Sequence, residues 1–424
     1  MLACLLLALL LVLLGLRRSP VREGAASSGG LVAREPSLAA ENWPPAVILA
    51  PMAGHVPELD ALLHALCGQD YPDFELVVIV EAERERAGDP SEVAVRLRAR
   101  EGAGLPDGVQ VVRAERAIAS SQKCANLIVG LAAASPRAEV VALIDADSLP
   151  HSGWLRDLVR PLLARRAEGD GPPALPVVTT GFRWYVPGKG AAGLFRSAFS
   201  ATALSVIADP GRAFAWGGSL ALTRHDLERL AIPAAWDRSL SDDLAVTRAI
   251  KAAGGRVHFV PECVLPSFGD PTWSGVCEFA ARQLTVIRRG HPRLWGEILA
   301  FHAALALTQV AAIATALGWG TVPGGGAGRA IAGLVLAAPS VLAAARTADR
   351  FRALRHRPLD RVAGWDRFRH LHVALSPLVT WIVLGAALVA GTRREVTWCG
   401  IRYRFRSGGR VEVAGGRWEG RHAA

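Results

Sequence analysis

Two aspartates one residue apart, Asp145 and Asp147, follow directly on an unbroken apolar run, Val140-Val141-Ala142-Leu143-Ile144. Carboxylate oxygens at that spacing can hold a hard divalent cation, and the cation can in turn hold a diphosphate. Their position adds to the argument. A short apolar run reads as a strand covered on both faces, and ligands of open α/β sheets bind just beyond the carboxyl ends of the strands. Pro150 then ends any ladder. An Asx turn closing a strand would use the same residues, so the pair alone leaves both readings open. A second pair, Asp242-Asp243, follows Ser241. Adjacent carboxylates can raise one pKa, while a serine followed by two acids also marks a helix N-terminus. A third acidic site, Glu81 with Glu83, ends another apolar run.

Such side chains need an alternating scaffold to converge. Residues 46–50 read as a short buried strand stopped by Pro51, and residues 57–67 as a helix with Leu59, Leu62, Leu63 and Leu66 on one face. Strands are expected at 74–80, 109–112 and 140–144, with helices at 123–134, 153–165 and 243–253. Alternation of this kind argues for an α/β unit with a mostly parallel sheet. The unit is expected to span 43–292, after a linker at 19–42. His258 alternates out of a further strand and reads as structural.

The rest of the chain is apolar. Half of its 424 residues are hydrophobic (51%) and only 20% are charged, which is too apolar for an ordinary soluble enzyme. The net charge of +10 comes from arginine beside apolar segments and suits a membrane surface or phosphate ligands. No basic-aromatic motif for nucleic acid is present. The six cysteines form no CxxC pair, which points to free thiols in a reducing compartment. Residues 1–18 read as an uncleaved anchor, because Arg17 and Arg18 follow the leucine run rather than precede it. Residues 293–391 hold about three apolar segments and an Arg/His-rich loop at 346–369. The positive-inside rule puts that loop and the α/β unit in the cytoplasm. It leaves a conflict at the basic tail, 392–424, which a fourth span would export unless one segment is re-entrant. Tyr403, Phe405, Val411 and Val413 suggest a small hairpin in that tail. Residues 191–208 read either as an amphipathic helix on the membrane or as a buried helix.

Five segments together resemble glycosyltransferase family 2 and its relative family 21, the ceramide glucosyltransferases and bacterial hopanoid-associated enzymes. They are Pro51 through Gln69-Asp70-Tyr71-Pro72 with Phe74-Glu75; Ser121-Gln122-Lys123-Cys124-Ala125-Asn126-Leu127; Asp145-Ala146-Asp147; Trp216-Gly217-Gly218-Ser219-Leu220; and Ser241-Asp242-Asp243-Leu244. The resemblance implies a nucleotide-sugar-binding glycosyltransferase A-type fold. It implies an inverting transfer from a nucleoside-diphosphate sugar, a UDP-sugar first, at the cytoplasmic face of an integral membrane protein of the bacterial inner membrane type. The acceptor would be a ceramide-, hopanoid- or glycerolipid-like lipid.

By the same resemblance, Asp147 is the direct ligand of Mg²⁺ or Mn²⁺ and Asp145 sits nearer the ribose or the metal's water. Asp243 is the general base, with Asp242 as its neighbour. Trp216, Gly217 and Gly218 lie on the acceptor side. Glu81, where the family has Asp, and Lys123 are donor-side candidates, against a solvated acid and a surface lysine. Arg282, Gln283 and Arg288 stand where the family carries Gln/Arg-x-x-Arg-Trp. Thr285 and Val286 occupy the Arg-Trp positions, so the full motif is absent. An arginine there could meet the diphosphate, or the cluster could set topology with Arg289 and Arg293. The missing Trp weighs against the alternative, a polysaccharide synthase on the same catalytic domain.

Overall fold

The computed structural model describes residues 2–15, 43–52, 56, 58–81, 109–166, 175–319, 325–355, 357–362, 364–406 and 410–416. The linker at 19–42, Glu83 and the last residues of the tail lie outside them.

A seven-stranded sheet forms the globular unit, in the order β3-β2-β1-β4-β6-β5-β7. Its strands are β1 (Ala46–Met52), β2 (Phe74–Glu81), β3 (Val109–Ala114), β4 (Val140–Ile144), β5 (Val177–Tyr185), β6 (Ser219–Thr223) and β7 (Arg256–Ser267). β1, β2, β3 and β4 run parallel, and β6 alone lies antiparallel to both of its neighbours, β4 and β5. The expected mostly parallel sheet flanked by helices is therefore the one observed. β5 and β6 do not figure among the strands expected from the sequence. Ser219–Thr223 is short and follows the Trp-Gly-Gly segment, which hides its strand character until it pairs. That pairing matters: Ile144 stands opposite Ser219, which brings Asp145 against Gly218.

The apolar runs of β1, β2 and β4 are buried throughout because helices cover both faces. On one face Leu59, Leu62, Leu63 and Leu66 of α2 (Leu59–Cys67) pack with Trp154, Leu155 and Leu158 of α4 (Trp154–Arg166). On the other, Leu127 of α3 (Gln122–Ala133) packs with Val246 and Ile250 of α6 (Asp242–Ala252). α5 (Ala191–Ala201) buries Ala198 and Phe199 in the core it shares with the later apolar helices.

The apolar helices begin with α1 (Leu2–Gly15) and resume after α7 (Trp273–Gly290). Among the described residues three helices are long and apolar enough to cross a membrane: α8 (Pro292–Ala316), α9 (Gly325–Ala353) and α10 (Trp365–Thr392). α8 and α9 form a hairpin rooted at both ends on the globular unit. Glu297 pairs with Arg212 at 3.3 Å near its start, and Phe351 packs on Trp184 near its end. α1 packs against α9 and α8.

α10 behaves differently. Near its start His372 stacks on Trp184 at 5.4 Å. Along its length Val379, Val383, Ala386, Ala387 and Ala390 pack with Ala198, Phe199, Ala280 and Leu284 of α5 and α7. At its end Arg288 donates to Ala390 O at 3.1 Å, and Arg393 grips Glu278 through two bonds of 2.7 Å. Both ends of α10 therefore rest on the globular unit, and Leu378, Trp381, Leu388 and Val389 face outward. The tail returns to the unit as a three-stranded antiparallel sheet rather than a plain hairpin, with β8 (Glu395–Trp398), β9 (Ile401–Phe405) and β10 (Val411–Gly416) in the order β10-β9-β8.

Candidate active site

The carboxylates converge at the carboxyl edge of the sheet. Asp145 and Asp147 leave the end of β4, where a turn closes with Ser148 N–H donating to Asp145 O at 3.2 Å. The turn reading and the ligand reading thus describe one piece of backbone. Asp145 N–H reaches Gly218 O at 3.3 Å. Across the cleft, α6 starts at Asp242 with Ser241 as N-cap. The capping reading of Ser241-Asp242-Asp243 holds, and it also aims both acids at the cleft. Asp243 Oδ1 accepts from Leu244 N–H at 2.7 Å and meets Ser241 Oγ, while Oδ2 accepts from Gly217 N–H at 3.2 Å.

Lys123 ties these segments together. It opens α3 behind its N-cap Ser121, and its Nζ stands 2.7 Å from Asp145 Oδ1, 3.1 Å from Asp242 Oδ2 and 3.2 Å from Gly217 O. Burial opposes charge on this ammonium, but the Asp145, Asp242 and Asp243 carboxylates outweigh it and hold it above the usual lysine range. Lys123 is thus no surface lysine. Burial also pushes against ionised Asp145, yet Lys123 and Arg183 keep its carboxyl below the usual range. Asp242, 1% exposed, is pushed up to about 7, first by burial and then by Asp243 and Asp145, with Lys123 pulling the other way. The expected raised pKa of the pair therefore falls on Asp242.

Gly217 and Gly218 have a steric reason to be glycine. A Cβ on Gly217 would stand 1.9 Å from Asp242 Oδ2, and one on Gly218 would stand 2.6 Å from Asp145 Oδ2. The two residues let the backbone pass between the carboxylates. Trp216 is pinned beside them by its N–H on Thr180 Oγ1 at 2.9 Å, with its ring edge-on to Phe182 at 5.6 Å.

One residue of the cluster does not figure among the sequence candidates. Arg183, on β5, donates to Asp147 Oδ2 at 2.5 Å and lies over the rings of Tyr185 at 4.6 Å and Trp216 at 5.3 Å. Burial disfavours its charge, but Asp147, Tyr185 and Asp145 together raise its pKa further. An arginine within a run of Thr, Phe, Trp and Tyr was the available signal.

Other candidates lie apart. Glu81 is buried at the end of β2, two strands from β4. Arg282 sits against the rings of Phe279 and Trp398 at 5.7 and 5.5 Å, and burial lowers its pKa. Gln283 is half-buried on α7. Arg288 caps the last turn of α10 through Ala390 O, with Trp295 under its guanidinium at 5.6 Å.

The site fits a hard divalent cation by donor chemistry. Asp147 is 47% exposed in the cleft, and Asp145 Oδ2 faces the gap that a Cβ at Gly218 would fill. Among the described residues no group of three acid, histidine or cysteine side chains gathers to make a full protein shell. Two carboxylates supply part of a shell, as suits a cation shared with a phosphate ligand.

The family model described as glycosyl transferase family 21 matches residues 4–411. No curated protein matches the chain. Among solved structures, a mannosyltransferase from Pyrobaculum calidifontis in complex with GDP-Man and Mn²⁺ is 19% identical, with a TM-score of 0.42, over 91% of this chain and 97% of that one. A glucosyl-3-phosphoglycerate synthase from Mycobacterium tuberculosis in complex with Mn²⁺, UDP and glucosyl-3-phosphoglycerate is 18% identical, with a TM-score of 0.36, over 61% of this chain and 81% of that one.

Proposed function

The chain belongs to glycosyl transferase family 21, and we propose that it moves one sugar from a nucleoside diphosphate to a lipid, with inversion, at the cytoplasmic face of a bacterial inner membrane. One observation carries the lipid acceptor. Arg183 and Trp184 are consecutive on β5, and successive strand residues point to opposite faces. Arg183 holds Asp147 of the cleft, while Trp184 packs on Phe351 of α9 and His372 of α10. The carboxylate cluster and the apolar helices are thus one residue apart on a single strand.

Asp147 and Asp145 would hold Mg²⁺ or Mn²⁺, which when bound supplies positive charge to a leaving diphosphate. Lys123 and Arg183 orient the two carboxylates and bring two fixed cations to the same edge. Asp243 takes the proton from the acceptor hydroxyl. The hydroxyl oxygen then forms its bond to the anomeric carbon as the bond to the diphosphate breaks. Gly217 N–H and Leu244 N–H fix the Asp243 carboxylate, and Oδ2 keeps a lone pair for the proton. α8 and α9 cross the membrane in this reading, with α1 packed against them as an anchor and α10 lying along the unit at the interface. The basic segment at 346–369 then shares the cytoplasmic side with the site.

Mass spectrometry of lipid extracts from cells with and without the gene tests the reading. A lipid gaining the mass of one sugar is expected. A polymer would instead identify a polysaccharide synthase, and unchanged lipids would overturn the lipid acceptor. Chelation should abolish transfer and Mn²⁺ or Mg²⁺ should restore it; full activity in excess EDTA would remove the metal from the reading.

A further inference from the structure

The last strands of the chain sit on the site's rim. β8 and β9 join through Cys399-Gly400, both at positive φ (49° and 78°), a tight turn that sets Trp398 opposite Ile401. One face of this small sheet, made of Val396, Ile401, Tyr403 and Val411, packs with Leu240, just ahead of Ser241, and with Val286 of α7. The backbone joins as well, since Val413 N–H donates to Ile118 O at 3.2 Å.

Tyr403 makes the most specific contact. It is 2% exposed, and its hydroxyl accepts from Gln122 N–H at 3.1 Å across 281 residues of sequence. That N–H belongs to the first turn of α3, whose donors have no partner within the helix. The adjacent donor, Cys124 N–H, is satisfied locally by Ser121 Oγ at 3.2 Å. The turn that carries Lys123 is therefore capped half by its own segment and half by the end of the chain. Burial raises the Tyr403 hydroxyl above the usual tyrosine range, so it stays neutral. At the turn of β8–β9, Trp398 lies under the Arg282 guanidinium at 5.5 Å. The small sheet thus reaches the Lys123 turn through Tyr403 and the Arg282 guanidinium of α7 through Trp398.

We propose that the C-terminal sheet is a positioning element of the donor site: Tyr403 fixes the first turn of α3, and with it Lys123. The proposal rests on the donor-site reading given above. Its consequence is selective. Lys123 bridges Asp145 and Asp242, so a shift of its turn disturbs the place where a nucleoside diphosphate would sit. Asp243 is fixed by α6 and Gly217, so proton removal from the acceptor should be largely spared.

The test uses the full chain in lipid nanodiscs, with UDP and GDP as probes in titration calorimetry, beside steady-state transfer kinetics. Tyr403→Phe should weaken binding of the preferred diphosphate and raise donor KM by about three- to tenfold, as loss of one hydrogen bond implies. Its kcat and acceptor KM should stay within about twofold of wild type. Leu62→Ala removes apolar packing from α2, on the other face of the large sheet. It should lower Tm and leave diphosphate affinity alone. If Tyr403→Phe binds as tightly as wild type, or Leu62→Ala weakens binding as much, the sheet is only a cover and the proposal fails. A wild type that binds neither diphosphate overturns the donor-site reading and the proposal with it.

Discussion

Two regions of this protein are rich in buried or half-buried cations, and they use them in opposite ways. At the sheet edge, Lys123 and Arg183 face carboxylates, Asp145 and Asp242 for one and Asp147 for the other. On α7, Arg282, Arg288 and Arg289 face rings and backbone carbonyls: Phe279 and Trp398, Trp295 and Ala390 O, Phe405 and Arg393 O. The first arrangement brings opposite charges from several elements to one cleft, where they can be re-partnered by a charged ligand. The second satisfies helix ends and stacks on aromatic surface, which is structural use of an arginine. A run of arginines in sequence therefore says little until their partners are known.

The comparison can be broken most sharply at the sheet edge. Asp243→Asn keeps the size of the side chain and the Ser241 cap. It should lower turnover by about 10²–10⁴, the usual contribution of a positioned base. Nucleoside-diphosphate binding should survive. Asp147→Asn should instead weaken cation-dependent diphosphate binding as well as turnover. Calorimetry beside a transfer assay separates the two, and normal turnover by Asp243→Asn would reduce that residue to a first-turn acid, with Asp242 next in line.

A second test concerns Asp242. Its carboxyl holds a proton up to about 7 in the folded protein, against 3.8 for an ordinary aspartate. The folded state thus binds more protons between those values, and stability should fall as pH rises through that window. A tenfold difference in proton affinity between the folded and unfolded chain corresponds to about 1.4 kcal/mol. Asp242→Asn should flatten the fall in a series of thermal melts from pH 4 to 7; an unchanged slope would show that the carboxyl titrates normally.

The smallest effect is expected on α7. Arg288→Leu removes the bond to Ala390 O at the end of α10. It should cost about 1 kcal/mol in stability, the net worth of such a bond, and leave diphosphate affinity unchanged. A loss of affinity comparable to that of Asp147→Asn would move Arg288 into the site and erase the contrast between the two regions.

Much of the site is legible without coordinates because its signals are local. An apolar run followed by Asp145 and Asp147 is a strand and its end. Ser121 and Ser241 mark helix starts through their own side chains, and the leucines of α2 repeat at the helical period. These patterns depend on residues a few positions apart, and backbone geometry alone makes them cohere. The cleft's steric logic is partly legible too, since paired glycines between carboxylate motifs announce a close passage of the chain.

What only the tertiary structure decided involves partners far apart in sequence. Asp147 meets Arg183 across 36 positions, Arg288 meets Ala390 across 102, and Gln122 meets Tyr403 across 281. No period or composition encodes such pairs. β5 and β6 became recognisable as strands of this sheet only on pairing, because strand character depends on what lies beside and beneath the chain. The path of α10 was decided in the same way. Its composition is that of a membrane span, but length and apolar content do not fix orientation. Packing against α5 and α7 sets its path on the unit, and β8, β9 and β10 follow beside Leu240, just ahead of the Ser241 cap.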